Sequence, residues 1–537
     1  MFQVVKRDGN VVDFDLNKIV TVITKAFDAT GRSYHPSIIE TLALKVTSRF
    51  DEKILDGLIN VEDIQDLVEE TLSLNGYWDV SKAYILYRKQ REKSRNIELA
   101  LDEYRGVVDS YLDHKTEKFI KPYSIGGLIA YNSSSVTASY WLDDIYDKQV
   151  KEAHVKGDIY LHDLSMLTGE NVGLSLNKML NKGFGGVNGM AYSAGARHVS
   201  TFISQLLKYI EVVQYEWAGS ISINGFDTLM ARFVRKDNLD YYEVKQNIQT
   251  LIFELNVTTR WGYVAPFTCL CLNLFDEEYQ KEMDMINRAI KEIMLQGDSV
   301  GNRFSYPIIC YSVSDELKNR ELVYEEAIFK NMLNGHDNMT SSYFGYKEDT
   351  GSIGSVSVNL GRIFNRAKND EDYYHRIDKA LKLALRALEQ KKDIVIKLFN
   401  EGLYPLSRKY LDNLDDFIGV VDLTGLKEIQ NEELRINTVR YIRNSIEGKA
   451  SLRASCSLNA AHSFAKKDKR NTTYSLDLCD GNDVFEILDV LSVYDEYFDA
   501  GMLAELKTNG FNLDIVNKIA CNYSVTYFKI NTRSQNG

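Results

Sequence analysis

Proline is scarce in this chain, five residues in 537, which excludes rigid proline-rich linkers. No run of apolar residues approaches the length a membrane span requires. The N-terminal MFQVVKRDGN carries charge where a signal peptide has its apolar stretch. These two absences point to the cytoplasm and away from a membrane. Basic residues are not in excess either: 64 Lys and Arg stand against 76 Asp and Glu, a formal net charge of -12. General nucleic-acid binding needs clustered cations and is not expected, although local nucleotide pockets are unaffected. The six cysteines (Cys269, Cys271, Cys310, Cys456, Cys479, Cys521) form no C-x-x-C pair. A zinc site or a thioredoxin-type motif would need closer, repeated spacing, so buried free thiols are the plain reading.

What is present reads as one small domain and one large one. Residues 1–95 begin with FQVVKRDGNVVDF, two short strands around an Asp8-Gly9-Asn10 turn. A helix follows with Ile19, Ile23 and Phe27 on one face. Further helices are expected from near Val61 and over SKAYILYRKQREKSRN, whose charge run after Tyr87 suggests the domain boundary. Residues 96–537 show no linker or repeat. Helical stretches such as HVSTFISQLLKYIEVVQ alternate with apolar runs such as FSYPIICYSV and GSVSVNL, a pattern of α/β barrels and open sheets alike.

Lys6 and Arg7 lie on the first hairpin and Lys18 in the first helical turn. Three cations beside a glycine turn and free backbone N–H groups can cradle a triphosphate; a solvated basic edge is the other use of such residues. The pattern V-x-K-R-D-G, a polar spacer, D-x-x-K-I and a closing AYILYRKQR resembles the ATP cone of ribonucleotide reductases. That resemblance implies a four-helix cone with ATP or dATP as effector, held by Val4, Lys6, Arg7, Asp15 and Lys18. Where relatives often carry an acid, this chain has Val12.

Downstream, SYWLDDIY, AHVKGDIYLHDLSMLTG, YEWAGSISINGFDTLMARFVR, LNVTTRWGYVAPFTCLCLNL and TGSIGSVSVNLGRI follow in order to about Phe528. In order and content they resemble the catalytic domain of anaerobic (class III) ribonucleoside-triphosphate reductases. The resemblance implies a ten-stranded α/β barrel of the glycyl-radical type and a homodimer. It also implies radical chemistry: a glycyl radical near the C-terminus, a thiyl cysteine on a central loop, a second cysteine on a strand, and a four-cysteine zinc.

Against that expectation, Asn171 stands at the strand-cysteine position in Thr168-Gly169-Glu170-Asn171-Val172-Gly173-Leu174. The loop HDNMTSSYFGYKED, around Asn338 to Gly345, has no sulfur but Met339 and no cysteine. Cys271 and Cys310 belong to strand blocks and are expected in the barrel wall. Ser451-Leu452-Arg453-Ala454-Ser455 replaces two carboxylates of the family, and Asp499-Ala500-Gly501-Met502 replaces its T-G-G-T, where an acid would repel a substrate phosphate. The sequence stops where relatives begin the zinc cysteines and the glycyl-radical segment, so no zinc is expected here. His162, Asp163 and Asn359 match positions lining the family's barrel; with Asn171 they would form a vestigial substrate pocket, kept because the fold packs around it.

These residues lead to the expectation of a catalytically inactive homologue that binds nucleotide and self-assembles, as a dimer, a larger oligomer or a filament. The alternative is an active or truncated reductase whose radical domain is missing from this chain; a cysteine inside the pocket would mark it. A third reading, hydrolysis, needs a cluster of His and carboxylates, and the linear sequence shows none.

Overall fold

The computed structural model describes residues 3–6, 10–50, 53–54, 57–113, 124–257, 265–313, 323–331, 347–454, 458–469, 483–508 and 510–532, with the side chains of 90–104 and 532 left out. Arg7, the Asp8-Gly9 half of the turn, the loop around Asn338 to Gly345, Ser455, Cys456 and Cys479 lie outside the described residues. Two compact units divide the chain, 1–115 and 116–537.

In the first unit, β1 (Gln3–Val5) pairs antiparallel with β2 (Val11–Asp13). Helix α1 (Leu16–Thr30) starts at Asp15, whose carboxylate accepts the Asn17 N–H, and stops at left-handed Gly31. Helix α2 (Pro36–Thr47) is absent from the sequence reading, yet its buried Ile39, Leu42, Ala43 and Val46 keep helical spacing. Strand β3 (Leu58–Asn60) runs parallel to β1, then come α3 (Val61–Leu74) and α4 (Trp78–Asp113). Helix α4 continues through residue 95, so the charged stretch that suggested a boundary lies within one helix. Ile19, Ile23 and Phe27 are buried in this unit's own core.

The second unit opens with α5 (Ile125–Tyr140), a π-helical turn, α6 (Lys148–Lys156), β4 (Ile159–Leu161) and β5 (Asn171–Leu174). Helix α7 (Leu176–Lys182) and a small hairpin, β6 (Phe184–Gly185) with β7 (Tyr192–Ser193), precede α8 (Val199–Val213) and β8 (Ile221–Asn224). Next are α9 (Phe226–Asp237), α10 (Tyr241–Glu254), β9 (Thr268–Leu272), α11 (Gln280–Gln296), β10 (Ile308–Val313) and β11 (Ile328–Asn331). Strand β12 (Gly351–Asn359) leads through α12 (Leu360–Arg366), α13 (Asp370–Glu401) and α14 (Ser407–Tyr410) to β13 (Phe417–Thr424). The unit closes with α15 (Glu432–Ile446), β14 (Ser451–Ala454), α16 (Leu458–Asp468), α17 (Val484–Asp495), β15 (Leu503–Thr508), α18 (Leu513–Asn522) and β16 (Tyr527–Thr532).

Ten strands run in the order β14-β13-β12-β5-β8-β9-β10-β11-β16-β15, with β4 beside β12. Strands β5, β8, β9, β10 and β11 are mutually parallel, as are β12, β13 and β14. Strands β15 and β16 form a further parallel pair, and antiparallel pairing joins β5 to β12 and β11 to β16. At the open seam the Ala500 N–H reaches the Leu452 carbonyl at 2.8 Å and Asp499 accepts the Leu452 N–H at 2.7 Å. The sheet is thus a nearly closed α/β barrel. Its main core lies between strands and outer helices, and takes Leu174, Ile223, Leu270, Leu272, Ile309 and Phe329 from alternate positions. The positions between them face inward. Among the described residues no helix is long and apolar enough to cross a membrane.

Candidate functional site

In the first unit, the end of β1, the start of α1 and the faces of α3 and α4 enclose a cavity of about 170 Å³. Val4, Lys6, Val12, Asp15 and Lys18 line it, with Phe14, Ile64 and Tyr84 as an apolar wall. The Lys6 N–H donates to the Asn10 carbonyl at 2.8 Å, which fixes that lysine at the hairpin mouth. Burial pushes the Tyr84 phenol up to about 12, so it stays a neutral wall and hydrogen-bond donor. Asp15 is committed to capping α1, its Oδ1 3.0 Å from the Asn17 nitrogen. This arrangement offers a greasy slot with two ammonium groups at its rim. Four of the five cone residues singled out in the sequence therefore share one cavity; Arg7 is outside the described residues.

Inside the barrel, the loop from β4 to β5 carries His162, Asp163 and Glu170. His162 Nε2 lies 2.7 Å from Ser357 Oγ and 3.7 Å from Asp422 Oδ2. Asp163 has φ 54, the left-handed region that an aspartate tolerates at some cost. Burial, then the neighbouring Glu170 charge, raise its pKa. Glu170 accepts from Ser355 Oγ at 3.0 Å. On neighbouring strands β13 and β14, Arg453 Nε donates to Asp422 Oδ1 at 2.8 Å. Lys391 reaches the cluster from α13; burial lowers its pKa while Asp163 and Glu170 oppose the shift.

The structure thus brings one histidine and three carboxylates near one another from segments far apart in the chain, although among the described residues no group of His, Cys and carboxylates could hold a metal ion. Glu170, Lys391, Asp422 and Arg453 were not read as site residues; a lysine among the buried Ala384, Ala387, Leu388 and Val395 of α13 was the available signal. Asn359 does not join the cluster: it caps α12 through the Arg362 N–H at 3.0 Å and binds the Gly157 carbonyl and Asp468. Asp499, expected to repel phosphate, closes the barrel seam and lies 3.4 Å from Arg443.

Asn171 is a wall residue with every polar atom engaged. Its Oδ1 accepts from Ser220 N–H at 2.7 Å and Ser220 Oγ at 2.9 Å, and its Nδ2 donates to Ser352 Oγ at 2.8 Å. A Cβ on Gly219 would stand 2.4 Å from Asn171 Oδ1, so the close approach requires glycine there.

Cys271 and Cys310 lie on wall strands β9 and β10, as their sequence blocks imply. Register places Ser222 beside Cys269, and Asn224 beside Cys271 beside Cys310. All face away from the main core, so the three cysteines are on the inner face of the wall, packed with Ile328 and Tyr527. Cys269 and Cys271 sulfurs are 3.9 Å apart. Hydrogen bonding to the neighbouring thiol, together with burial, holds Cys271 and Cys310 well above the usual thiol range. Cys521, expected to be buried, is exposed.

The second unit is thus an α/β barrel, and the first is a small unit holding a cationic slot. Comparison with known proteins agrees. Residues 117–426 match the family described as anaerobic ribonucleoside-triphosphate reductase, and residues 2–93 match the ATP cone domain. The anaerobic ribonucleoside-triphosphate reductase of Haemophilus influenzae is 24% identical over 464 residues, 72% of this chain and 62% of that protein. The chain therefore spans less than two thirds of that relative's length. The chain is also similar to the ribonucleoside-diphosphate reductase subunit alpha of Chlamydia pneumoniae, 39% identical over 98 residues, 17% of this chain and 9% of that protein. The anaerobic ribonucleotide reductase of Thermotoga maritima, solved with dATP in the specificity site, superposes with a TM-score of 0.68 at 18% identity, covering 80% of this chain and 87% of that one. This chain belongs to the anaerobic ribonucleoside-triphosphate reductase family and carries an N-terminal ATP cone.

Proposed function

We propose that this chain is a member of the family that binds ATP or dATP in its cone, does not reduce ribonucleotides, and acts through nucleotide-dependent self-assembly as a regulatory or structural protein. The observation that carries the reading is Asn171. Where the resemblance calls for a thiol, an amide stands hydrogen-bonded to Ser220 and Ser352, and the segment of residues 332–346 contains no cysteine. A thiyl can abstract and return a ribose hydrogen because S–H and C–H strengths are close. An amide N–H or a hydroxyl is mismatched, and each mismatch of about 1.4 kcal/mol in the barrier costs about tenfold in rate. In the cone, Lys6, Arg7 and Lys18 take the phosphates, Val4 lines the slot, and Asp15 holds the start of α1. The bound nucleotide is the effector, and the domain of residues 1–95 is its receptor.

The test supplies the glycyl-radical segment and activating enzyme of an active relative, fused to this chain, with ribonucleoside triphosphates and reductant. Deoxynucleotide should not rise above background, while calorimetry on the chain itself registers ATP or dATP binding. Product that is lost on substitution of a barrel residue of this chain overturns the reading.

One observation favours a second reading, an active reductase completed by another chain: Cys269, Cys271 and Cys310 present protonated thiols on the barrel's inner face. The same assay separates the two. Product abolished by Cys271→Ala or Cys310→Ala would assign the radical thiol to this cluster.

A further inference from the structure

The outer surface of the barrel unit carries a cationic cleft that neither the cone nor the barrel interior uses. It lies between α6 and α13 and consists of two adjoining cavities, about 360 and 290 Å³, which share Lys156, Asp158, Lys379 and Leu383. Buried Ala153, Ala380 and Ile363 give it an apolar floor. Lys156 ends α6, and Arg362 and Arg366 come from α12. Helix α13 adds Arg376, Lys379, Lys382 and Arg386. Steps of three, three and four keep these on one helical face. Glu152 and Asp158 are the acids that line it. Among the lining residues seven cations stand against two carboxylates, an excess of five before the flanking acids Asp147, Asp372 and Asp468 are counted, in a chain of formal net charge -12.

Four of the cations have internal work. Lys156 pairs with Glu152 at 2.8 Å, Arg376 with Asp372 at 3.0 Å and Arg386 with Asp147 at 2.6 Å. Arg362 donates to the Lys156 carbonyl and so closes the end of α6. Among the described residues, Arg366, Lys379 and Lys382 have no hydrogen-bond or ion-pair partner. These three side chains are exposed along a concave site with an apolar base. Positive charge is crowded at its rim as well: Lys467 on α16 has its pKa lowered by burial and then by Arg362.

We propose that this cleft binds a di- or triphosphate group, through Arg366, Lys379 and Lys382. None of its lining residues is aromatic, so nothing there stacks a base, unlike the cone slot with Phe14 and Tyr84. Recognition therefore rests on the phosphates, whether free or carried by a nucleoside.

The experiment is calorimetry with sodium tripolyphosphate on the full chain. Binding should persist in Lys6→Ala/Lys18→Ala, weaken with added salt, and fall by about tenfold or more in Lys379→Glu/Lys382→Glu. The neutral pair Lys379→Gln/Lys382→Gln serves if charge reversal disturbs folding, and the melting temperature without ligand should match the parent. In the cone-substituted chain, displacement by ATP identifies a nucleotide as the source, and its failure identifies free polyphosphate. Unchanged affinity in both Lys379/Lys382 variants, or complete loss of tripolyphosphate binding in the cone variant, overturns the site.

Discussion

Lys391 on α13 lies directly over Gly354 on β12: a Cβ at Gly354 would stand 2.7 Å from Lys391 Cδ and 3.0 Å from its Nζ. The glycine, next to an irregularity in the strand pairing, leaves room for a lysine to reach the acids of the barrel. Its Nζ has no hydrogen bond and sits 5.7 Å from the Trp141 ring centroid. Its charge answers the field of Asp163 and Glu170.

Removing that side-chain amine takes one of two cationic groups away from the buried carboxylates, Arg453 being the other. Lys391→Met is expected to lower unfolding free energy, and adding Glu170→Gln should restore part of the loss. Urea denaturation of the two single variants and the double variant measures this coupling. Strictly additive effects would separate the lysine from the cluster.

In the cone, capping and ligand contact come apart. Asp15→Ala should cost about 1 kcal/mol of stability through the lost cap, seen as earlier melting of the chain's first transition. Lys6→Ala with Lys18→Ala should instead leave melting unchanged and weaken ATP or dATP about tenfold or more, read by calorimetry. A parent chain that shows no heat with either nucleotide makes Val12 the first residue to revert to an acid.

His154 gives the barrel unit an acid sensitivity. Its Nδ1 accepts the Leu161 N–H at 3.2 Å, which needs the neutral ring. Burial first, then Lys467, hold its pKa at about 4, below the ordinary 6.5. The folded state thus disfavours the proton: this stability is complete above pH 6.5 and is lost as pH falls towards 4, by up to about 3 kcal/mol. His154→Asn, whose side-chain oxygen can accept the same bond, should flatten the pH dependence of the melting temperature in that window. An unaltered slope would exclude His154 as its source.

Self-association is expected through the helical surface of the barrel unit. Helix α5 exposes Ile125, Ile129, Val136 and Tyr140, with Gly127 its buried residue, an apolar face of the kind interfaces cover. Sedimentation should show a dimer or larger species at micromolar concentration, and Ile129→Glu with Val136→Glu should shift it to monomer. A parent chain that sediments only as monomer refutes the expectation.

Helical periodicity made α1 legible, since Ile19, Ile23 and Phe27 recur on one face, and strand composition exposed β10 and β12. Helix α2 went unread although its spacing was regular, and the boundary drawn at a charge run fell within α4. Charge along a helix reports which face is solvated, not where the chain turns. The absence of cysteine from the strand position at Asn171 and from the segment of residues 332–346 was plain in the sequence, because covalent identity needs no folding to be read.

Tertiary structure alone decided what surrounds those positions. His162 meets Asp422 across 260 residues of chain, Lys391 enters beside Gly354, and the wall cysteines Cys269, Cys271 and Cys310 face inward because register, and not composition, sets which side of a strand is inside. The sequence by itself determined the family, the cone's cations and the missing thiols, all of which are local patterns of residue type. Charge pairing, burial and the basic cleft arise from contacts between distant segments, whose free energies exist only once the barrel has brought them together.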